Sequence, residues 1–176
     1  MLESEVVNVV VTADLEQEID LQGVGQLTYG QYYPDVYPAA YIKLPGMSGK
    51  VTVFHSGKLI SVGAKSESQA TKDLENTVRY LAKSRLARPT VLRPEPRNLV
   101  TALNFRQNVD IGRFVAEVER VVYEPEIFPG AIYRMIDPKA CALVFAQGKT
   151  VIAAKDAKTA SRAIELFTHT IEKYLY

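Results

Sequence analysis

Two stretches of the 176-residue chain match at one constant offset. The clearer is VYEPEIFPGAIYRMIDPKACALVFAQGK, from Val122 to Lys149; the weaker is QYYPDVYPAAYIKLPGMSGKVTVFHSGK, from Gln31 to Lys58. Pro34 matches Pro125, Tyr37 matches Phe128, Pro38 matches Pro129 and Lys43 matches Arg134. Phe54 matches Phe145, and Gly57-Lys58 matches Gly148-Lys149. Upstream, Asn8-Val9-Val10 pairs with Asn98-Leu99-Val100, and Ile19-Asp20-Leu21 with Val109-Asp110-Ile111, after a one-residue slip. The chain is therefore two copies of one unit, spanning roughly 6–86 and 96–175. Solenoid repeats run to about 20–50 residues, so a unit this long is a duplicated domain half.

Within each copy the hydrophobic period changes in the same order. Val6 to Leu15 is a β-branched run and predicts a strand, with Val7, Val9 and Val11 on one face and Asn8, Val10 and Thr12 on the other. A short helix fits Asp20 to Leu27, weakened by Gly23 and Gly25. A strand, a Pro-bounded turn near Pro34–Pro38 and a second strand follow, then a hairpin of Val51–Phe54 and Leu59–Val62. From Ser66 to Leu86 the residues Ala70, Leu74, Thr77 or Val78, Leu81 and Leu86 fall near helical spacing, with Asp73 among the charged residues between them and Ser66 or Ser68 as cap.

The second copy predicts a strand at Leu99–Leu103, a helix from Asp110 to Val121, strands near 131–136, 140–145 and 150–154, and a last helix near 157–174 burying Ala160, Ile164, Phe167, Ile171 and Leu175. Each copy reads as strand, helix, four strands, helix: an α+β unit with a largely antiparallel sheet. The copies divide the chain into a first repeat at 1–88, a Pro-rich linker at 89–97 and a second repeat at 98–176.

An antiparallel sheet with helices on one face should be apolar inward and polar outward. Val6–Thr12, Leu59–Val62 and Ala140–Phe145 are instead mostly aliphatic or aromatic on both faces. If helices cover one face, the other stays apolar and open, which marks a binding surface. Such a surface would carry aromatics at its ends, the amides of Asn8 and Asn98 near its middle, and Lys43, Lys58, Arg134 and Lys149 beside it. That combination suits the minor groove of DNA, where apolar contact and a few amide hydrogen bonds tell A·T from G·C and cations hold the phosphates.

Composition adds little to this. A net charge of +1 makes no case for nucleic acid, since phosphate binding depends on local clustering rather than the sum. The one cysteine, Cys141, excludes a disulfide framework and, in its apolar run, reads as an inert buried thiol. No apolar run reaches the ~18 residues of a membrane span, and the N-terminus lacks the pattern of a signal peptide, so the chain is expected to be soluble and intracellular.

At YEPEIFPGAIYRM, followed by F-x-x-G-K, and at N-V-V-V-T, F-H-S-G-K and V-G-A-K-S in the first copy, the sequence resembles the TATA-box-binding protein family over essentially its whole length. The lack of a long N-terminal extension is similar to archaeal members. The resemblance implies two pseudo-symmetric repeats forming a curved antiparallel sheet, a saddle with helices on the convex face. It implies a general transcription initiation factor that binds TATA-like promoter DNA in the minor groove, bends it and recruits transcription factor B. Kinking and minor-groove wedging are themselves features described for this family.

Carried over by position, the wedges are Phe128 with Phe145 and Tyr37 with Phe54. Asn8 and Asn98 with Val10 and Val100 make the central base contacts, and Ile60, Val62, Leu143 and Val151 line the groove surface. Lys43, Lys58, Arg134 and Lys149 contact phosphates, while Glu124, Glu126 and Ile127 face transcription factor B. The implied partners are A·T-rich double-stranded DNA, transcription factor B and the RNA polymerase machinery. A homodimer off DNA is a further state the resemblance allows; no membrane, cofactor or metal is implied. The protein would be DNA-associated, in the archaeal cytoplasm or nucleoid, or in a nucleus. Three features depart from the family pattern. Tyr37 replaces a phenylalanine, Thr52 replaces an apolar residue, and Val151–Lys155 is one residue short, losing a threonine and a glycine.

Two other classes compete. A divergent paralogue would use the same surface chiefly for protein interaction. An enzyme is poorly supported: His55 and His169 lie in different copies without metal-ligand spacing, and neither a P-loop nor a dinucleotide fingerprint occurs.

Overall fold

The computed structural model describes residues 2–176, which divide into two compact units. One is Asn8–Arg97; the other is Asn98–Tyr176 together with residues 2–7. The first contains most of β1 (Glu3–Asp14), then α1 (Leu21–Gly25), β2 (Gly30–Tyr32), β3 (Ala39–Ile42), β4 (Lys50–Phe54), β5 (Lys58–Ala64) and α2 (Glu67–Lys83). Its strands pair antiparallel in the order β2-β3-β4-β5-β1. The second contains most of β6 (Glu95–Asn104), then α3 (Ile111–Glu117), β7 (Val121–Val122), β8 (Ala131–Met135), β9 (Ala140–Val144), β10 (Lys149–Ala154) and α4 (Ala157–Ile171). Its order is β6-β10-β9-β8-β7, again antiparallel. The duplication is thus carried element by element, and both units are α+β.

Each sheet has one covered face. In β1 the residues Val9, Val11 and Ala13 are buried, while Asn8, Val10 and Thr12 between them are half-buried. The same alternation buries Leu99, Thr101 and Leu103 in β6, and Thr150, Ile152 and Ala154 in β10. Helix α2 packs on β4 and β5, and α4 on β9 and β10. Ala70, Leu74, Val78 and Leu81 enter the core of one unit, and Ala160, Ala163, Phe167 and Ile171 the core of the other. Full burial of a side chain such as Leu74 or Phe167 contributes on the order of 1.5–3 kcal/mol, so these stripes hold the helices on the sheets.

The structure departs from the sequence pattern at six places. Helix α2 ends at Lys83, which leaves Leu86 half-buried beyond it. Asp73 is buried at 2 % exposure within α2, with Gln69 Nε2 donating to it at 2.7 Å. Helix α3 stops at Glu117, short of Val121. Val118 is already extended and Arg120 is left-handed at φ 63°, which turns the chain so that Val121 and Val122 pair with β8. At the C-terminus α4 gives way to a 3-10 turn at Glu172–Tyr174. That turn buries the Tyr174 ring against Phe114 (5.4 Å between centroids) and leaves Leu175 half-buried. Ala163 rather than Ile164 fills the buried stripe of α4. Finally, Cys141 is half-buried on the uncovered face of β9 rather than in the core.

The Pro-rich segment is ordered by one side chain. Gln17 Nε2 donates to the Arg88 carbonyl (3.2 Å) and Thr90 Oγ1 (3.1 Å), and Gln17 Oε1 accepts from the Arg88 amide at 2.8 Å. Residues 95–97 at its end are already strand β6.

The two long helices are capped at matching positions by different chemistry. Ser66 Oγ accepts from the Gln69 amide at 3.0 Å, and Asp156 Oδ1 accepts from the Thr159 amide at 2.8 Å. Hydrogen bonds from the Thr159 backbone and hydroxyl hold the Asp156 carboxyl below its ordinary pKa, with Lys155 and Lys158 adding to the effect. A depressed folded pKa means that the cap's stabilisation is present above the ordinary carboxylate range and lost as pH falls through the folded value. Asp156→Ala is expected to destabilise the protein by about 0.5–2 kcal/mol at neutral pH. In urea denaturation the gap between the variant and the parent should close as the pH drops below the Asp156 pKa.

Candidate nucleic-acid interface

The face that the helices leave bare is built from cross-strand rows whose register the ladders fix. In the first unit Thr12, Ile60, Thr52 and Tyr41 stand side by side on β1, β5, β4 and β3. Val10 and Val62 form the next row, with Lys50 opposite Val62. In the second unit the corresponding rows are Ala102, Val151, Leu143 and Ile132, then Val100, Ala153, Cys141 and Arg134. The groove-lining residues expected from sequence, Ile60, Val62, Leu143 and Val151, lie on this face together with Val10 and Val100 of the expected central contact; all six are half-buried, and all but Val62, which precedes Gly63, sit between buried neighbours.

The aromatic pairs sit at the far end of each sheet for a local reason. Tyr37 closes a turn in which its amide and that of Val36 both donate to the Tyr33 carbonyl at 3.0 Å. Phe128 closes the same turn, its amide and that of Ile127 donating to the Glu124 carbonyl at 2.9 Å. A proline follows each ring and the helical path ends there. Phe54 and Phe145 follow at the ends of β4 and β9, where Gly57 and Gly148 turn the chain back to Lys58 and Lys149. The rings therefore meet in pairs: Phe128 and Phe145 edge to face at 5.8 Å, Tyr37 and Phe54 at 6.4 Å. Gly130 seats the phenylalanine pair, since a Cβ there would lie 2.9 Å from the Phe128 ring and 3.1 Å from Phe145. None of the four rings is fully buried, and Tyr37 is 40 % exposed.

Lys43, Lys58, Arg134 and Lys149 are exposed, and among the described residues none of the four is in an ion pair. In the second unit an open groove of about 710 Å³ runs past Ala102, Phe145, Lys149 and Val151, with Glu3 and Glu5 at its edge. Glu3 is neutralised there by an ion pair with Arg106, and the partnership holds the Arg106 guanidinium pKa above its ordinary value. Glu124, Glu126 and Ile127 lie together on the exposed turn before Phe128, with Ile127 80 % exposed. A large aliphatic side chain left that bare beside two carboxylates fits a docking point for protein better than one for DNA.

The amides differ. Asn8 Oδ1 accepts a hydrogen bond from the Gly63 amide at 2.8 Å. Gly63 is the extra residue of a β-bulge: Val9 pairs with Ala64 but Val10 with Val62. Its φ of +91° and a Cβ position 2.8 Å from the Gly49 Cα both require glycine. The second unit has no bulge; β10 and β6 pair without interruption from Lys149↔Asn104 to Ala154↔Leu99. Among the described residues Asn98 has no such partner.

Sequence reasoning missed Tyr41 and Lys50 on this face. Tyr41 stacks on Tyr37 (5.8 Å, 8° between planes), and Lys50 Nζ lies 3.8 Å from the Tyr41 ring centre. Strand parity from Val51 and Val53 would have exposed Lys50, and the ladder to Thr52 places Tyr41. Thr52 itself is 7 % exposed, covered within that row. Among the described residues no three His, Cys, Asp or Glu side chains gather as a metal site, and no helix is long and apolar enough to cross a membrane.

The family profile described as "Transcription factor TFIID (or TATA-binding protein, TBP)" matches residues 3–84 and again 93–174. The TATA-box-binding protein of Cenarchaeum symbiosum is 41 % identical over 151 residues, 84 % of this chain and 82 % of that one. That of Pyrobaculum aerophilum is 35 % identical, covering 90 % and 80 %, and that of Methanopyrus kandleri 31 %, covering 97 % and 96 %. The solved structure of Methanococcus jannaschii TBP superposes with a TM-score of 0.83 over 97 % of this chain and 99 % of that one, at 31 % identity. The family is one of transcription factors and not of enzymes. With both repeats matched and the fold shared, the chain belongs to the TATA-binding protein family.

Proposed function

We propose that this protein is a transcription initiation factor that binds A·T-rich promoter boxes through the bare sheet faces of its two units, bends the duplex and recruits transcription factor B. The observation that carries this reading is the pair of aromatic couples at matched positions, each at the end of an apolar, uncovered sheet face with unpaired cations beside it. Apolar rows fit the floor of a minor groove, which offers few polar groups to satisfy. Phe128 with Phe145, and Tyr37 with Phe54, act as wedges that partly unstack a base step at each end of the box. Lys43, Lys58, Arg134 and Lys149 meet the flanking phosphates. The protein acts on DNA, and Glu124, Glu126 and Ile127 form the patch that takes transcription factor B.

Phe128→Ala and Phe145→Ala should each weaken binding to an A·T box by on the order of 1–3 kcal/mol, the worth of stacking a base on an aromatic ring. Their melting temperatures should fall by less than full core truncation would cause, because the rings are only half-buried. Fluorescence anisotropy and thermal denaturation read the two effects separately. A variant that unfolds while its residual affinity for the box is unchanged would make that ring a core residue and reject the wedge.

Glu124→Arg combined with Glu126→Arg should not weaken binding to the A·T box, because the change adds positive charge on the turn beside Phe128, where it favours phosphate. The same double variant should abolish the ternary complex with transcription factor B in gel-shift titrations. A ternary complex of undiminished affinity would move the partner site elsewhere.

A further inference from the structure

We propose that the two repeats read their half-sites with different stringency: the first rejects a G·C pair that the second accepts. This rests on the DNA-binding reading above and assigns Gly63 as a specificity-determining residue acting through Asn8.

The backbone amide of Gly63 can only donate, so the Asn8 atom facing it at 2.8 Å is the carbonyl oxygen and not the amino nitrogen. With that oxygen engaged, the carboxamide is locked and turns its NH₂ outward as a donor. The arrangement is well supported, because Ser48 Oγ donates to the Gly63 carbonyl at 2.9 Å, so both backbone groups of the bulge residue are satisfied locally. A fixed donor suits the adenine N3 and thymine O2 acceptors of the minor groove. It opposes the amino donor that guanine N2 places there. The first unit therefore disfavours G·C in two ways, by donor facing donor at guanine N2 and by the bulk of that amino group.

In the second unit the bulge residue is missing, and the ladder runs straight through Ala153 and Ala154. Asn98 stands on the same face of β6 as Val100, half-buried, with no backbone amide holding its oxygen. It can rotate to present NH₂ to A·T or its oxygen to the guanine amino group. Alanine at 153, where the first unit has Val62, also leaves more room above the groove floor.

The test uses the full chain and a palindromic A·T box, so that orientation is free. One G·C pair is introduced at the amide-contacted position of one half, or of both halves, and affinities are compared with a scrambled duplex. A single G·C should cost about twofold, the loss of one of two equivalent orientations, whereas G·C in both halves forces one under Asn8 and should cost about tenfold or more. Inserting a glycine between Ala153 and Ala154 should make the single substitution as costly as one half of an additive pair. Two symmetric outcomes overturn the inference: equal, multiplying losses in each half, or little loss with both halves changed. If the parent chain does not prefer the unsubstituted box to the scrambled duplex, the DNA-binding reading itself fails and takes the inference with it. The wild-type comparison decides whether the repeats differ even if the insertion variant does not fold, and Asn8→Ala assigns the strict role: it should cut the cost of G·C in both halves to about twofold relative to its own unsubstituted box, and an unchanged tenfold cost would overturn the assignment to the first unit.

Discussion

The structure depends on burying only one side of sheets that are apolar on both. Helices α2 and α4 take the side carrying Val9, Val11, Leu59, Leu103 and Ile152. The opposite rows of Val10, Ile60, Val62, Val100, Leu143 and Val151 are left half-buried. Leaving such side chains partly in water forgoes stabilisation that a second helical layer would give, at roughly 25 cal/mol per Å². The fold tolerates this because the covered cores are well filled and their long helices capped. The rim offsets the solubility cost with exposed cations.

The two units meet the same constraint with different side chains. The second is drier: Leu143, Ile132 and Ala102 stand where the first has Thr52, Tyr41 and Thr12. Its aromatic pair is closer, and glycine lies beneath it. In the first unit Tyr37 already stacks on Tyr41 under the Lys50 ammonium, and its hydroxyl remains within reach of water at the rim. A tyrosine can keep its ring against apolar surface and its oxygen solvated, which removes much of the cost expected of a hydroxyl at that position.

Much of the architecture was legible in the sequence because duplication doubles each weak signal. A turn such as PDVYP is ambiguous alone, but its match to PEIFP at a constant offset makes both Tyr37 and Phe128 stand out. What the sequence hid was decided by tertiary contacts. Helix α3 ended early because β8 offered Val121 and Val122 a partner, and pairing outweighed helical spacing. Asp73 looked like a surface charge until Gln69, one turn away, satisfied it inside the core. Tyr41 became visible only when the ladder set it beside Thr52, whereas Lys50 was within reach of strand parity. The bulge at Gly63 was readable merely as a length difference; its backbone angle and its bond to Asn8 are properties of the fold.

That length difference has a consequence for how such a chain can change. Dropping one residue from a regular strand inverts everything beyond it, sending apolar side chains to water and exposed ones into the core. At a bulge the arithmetic is reversed. With Gly63 present Ala64 faces inward, and with its counterpart gone Ala154 still faces inward, so both ladders deliver the chain to a helix with parity intact. A duplicated sheet can therefore shorten at this point without scrambling its layers.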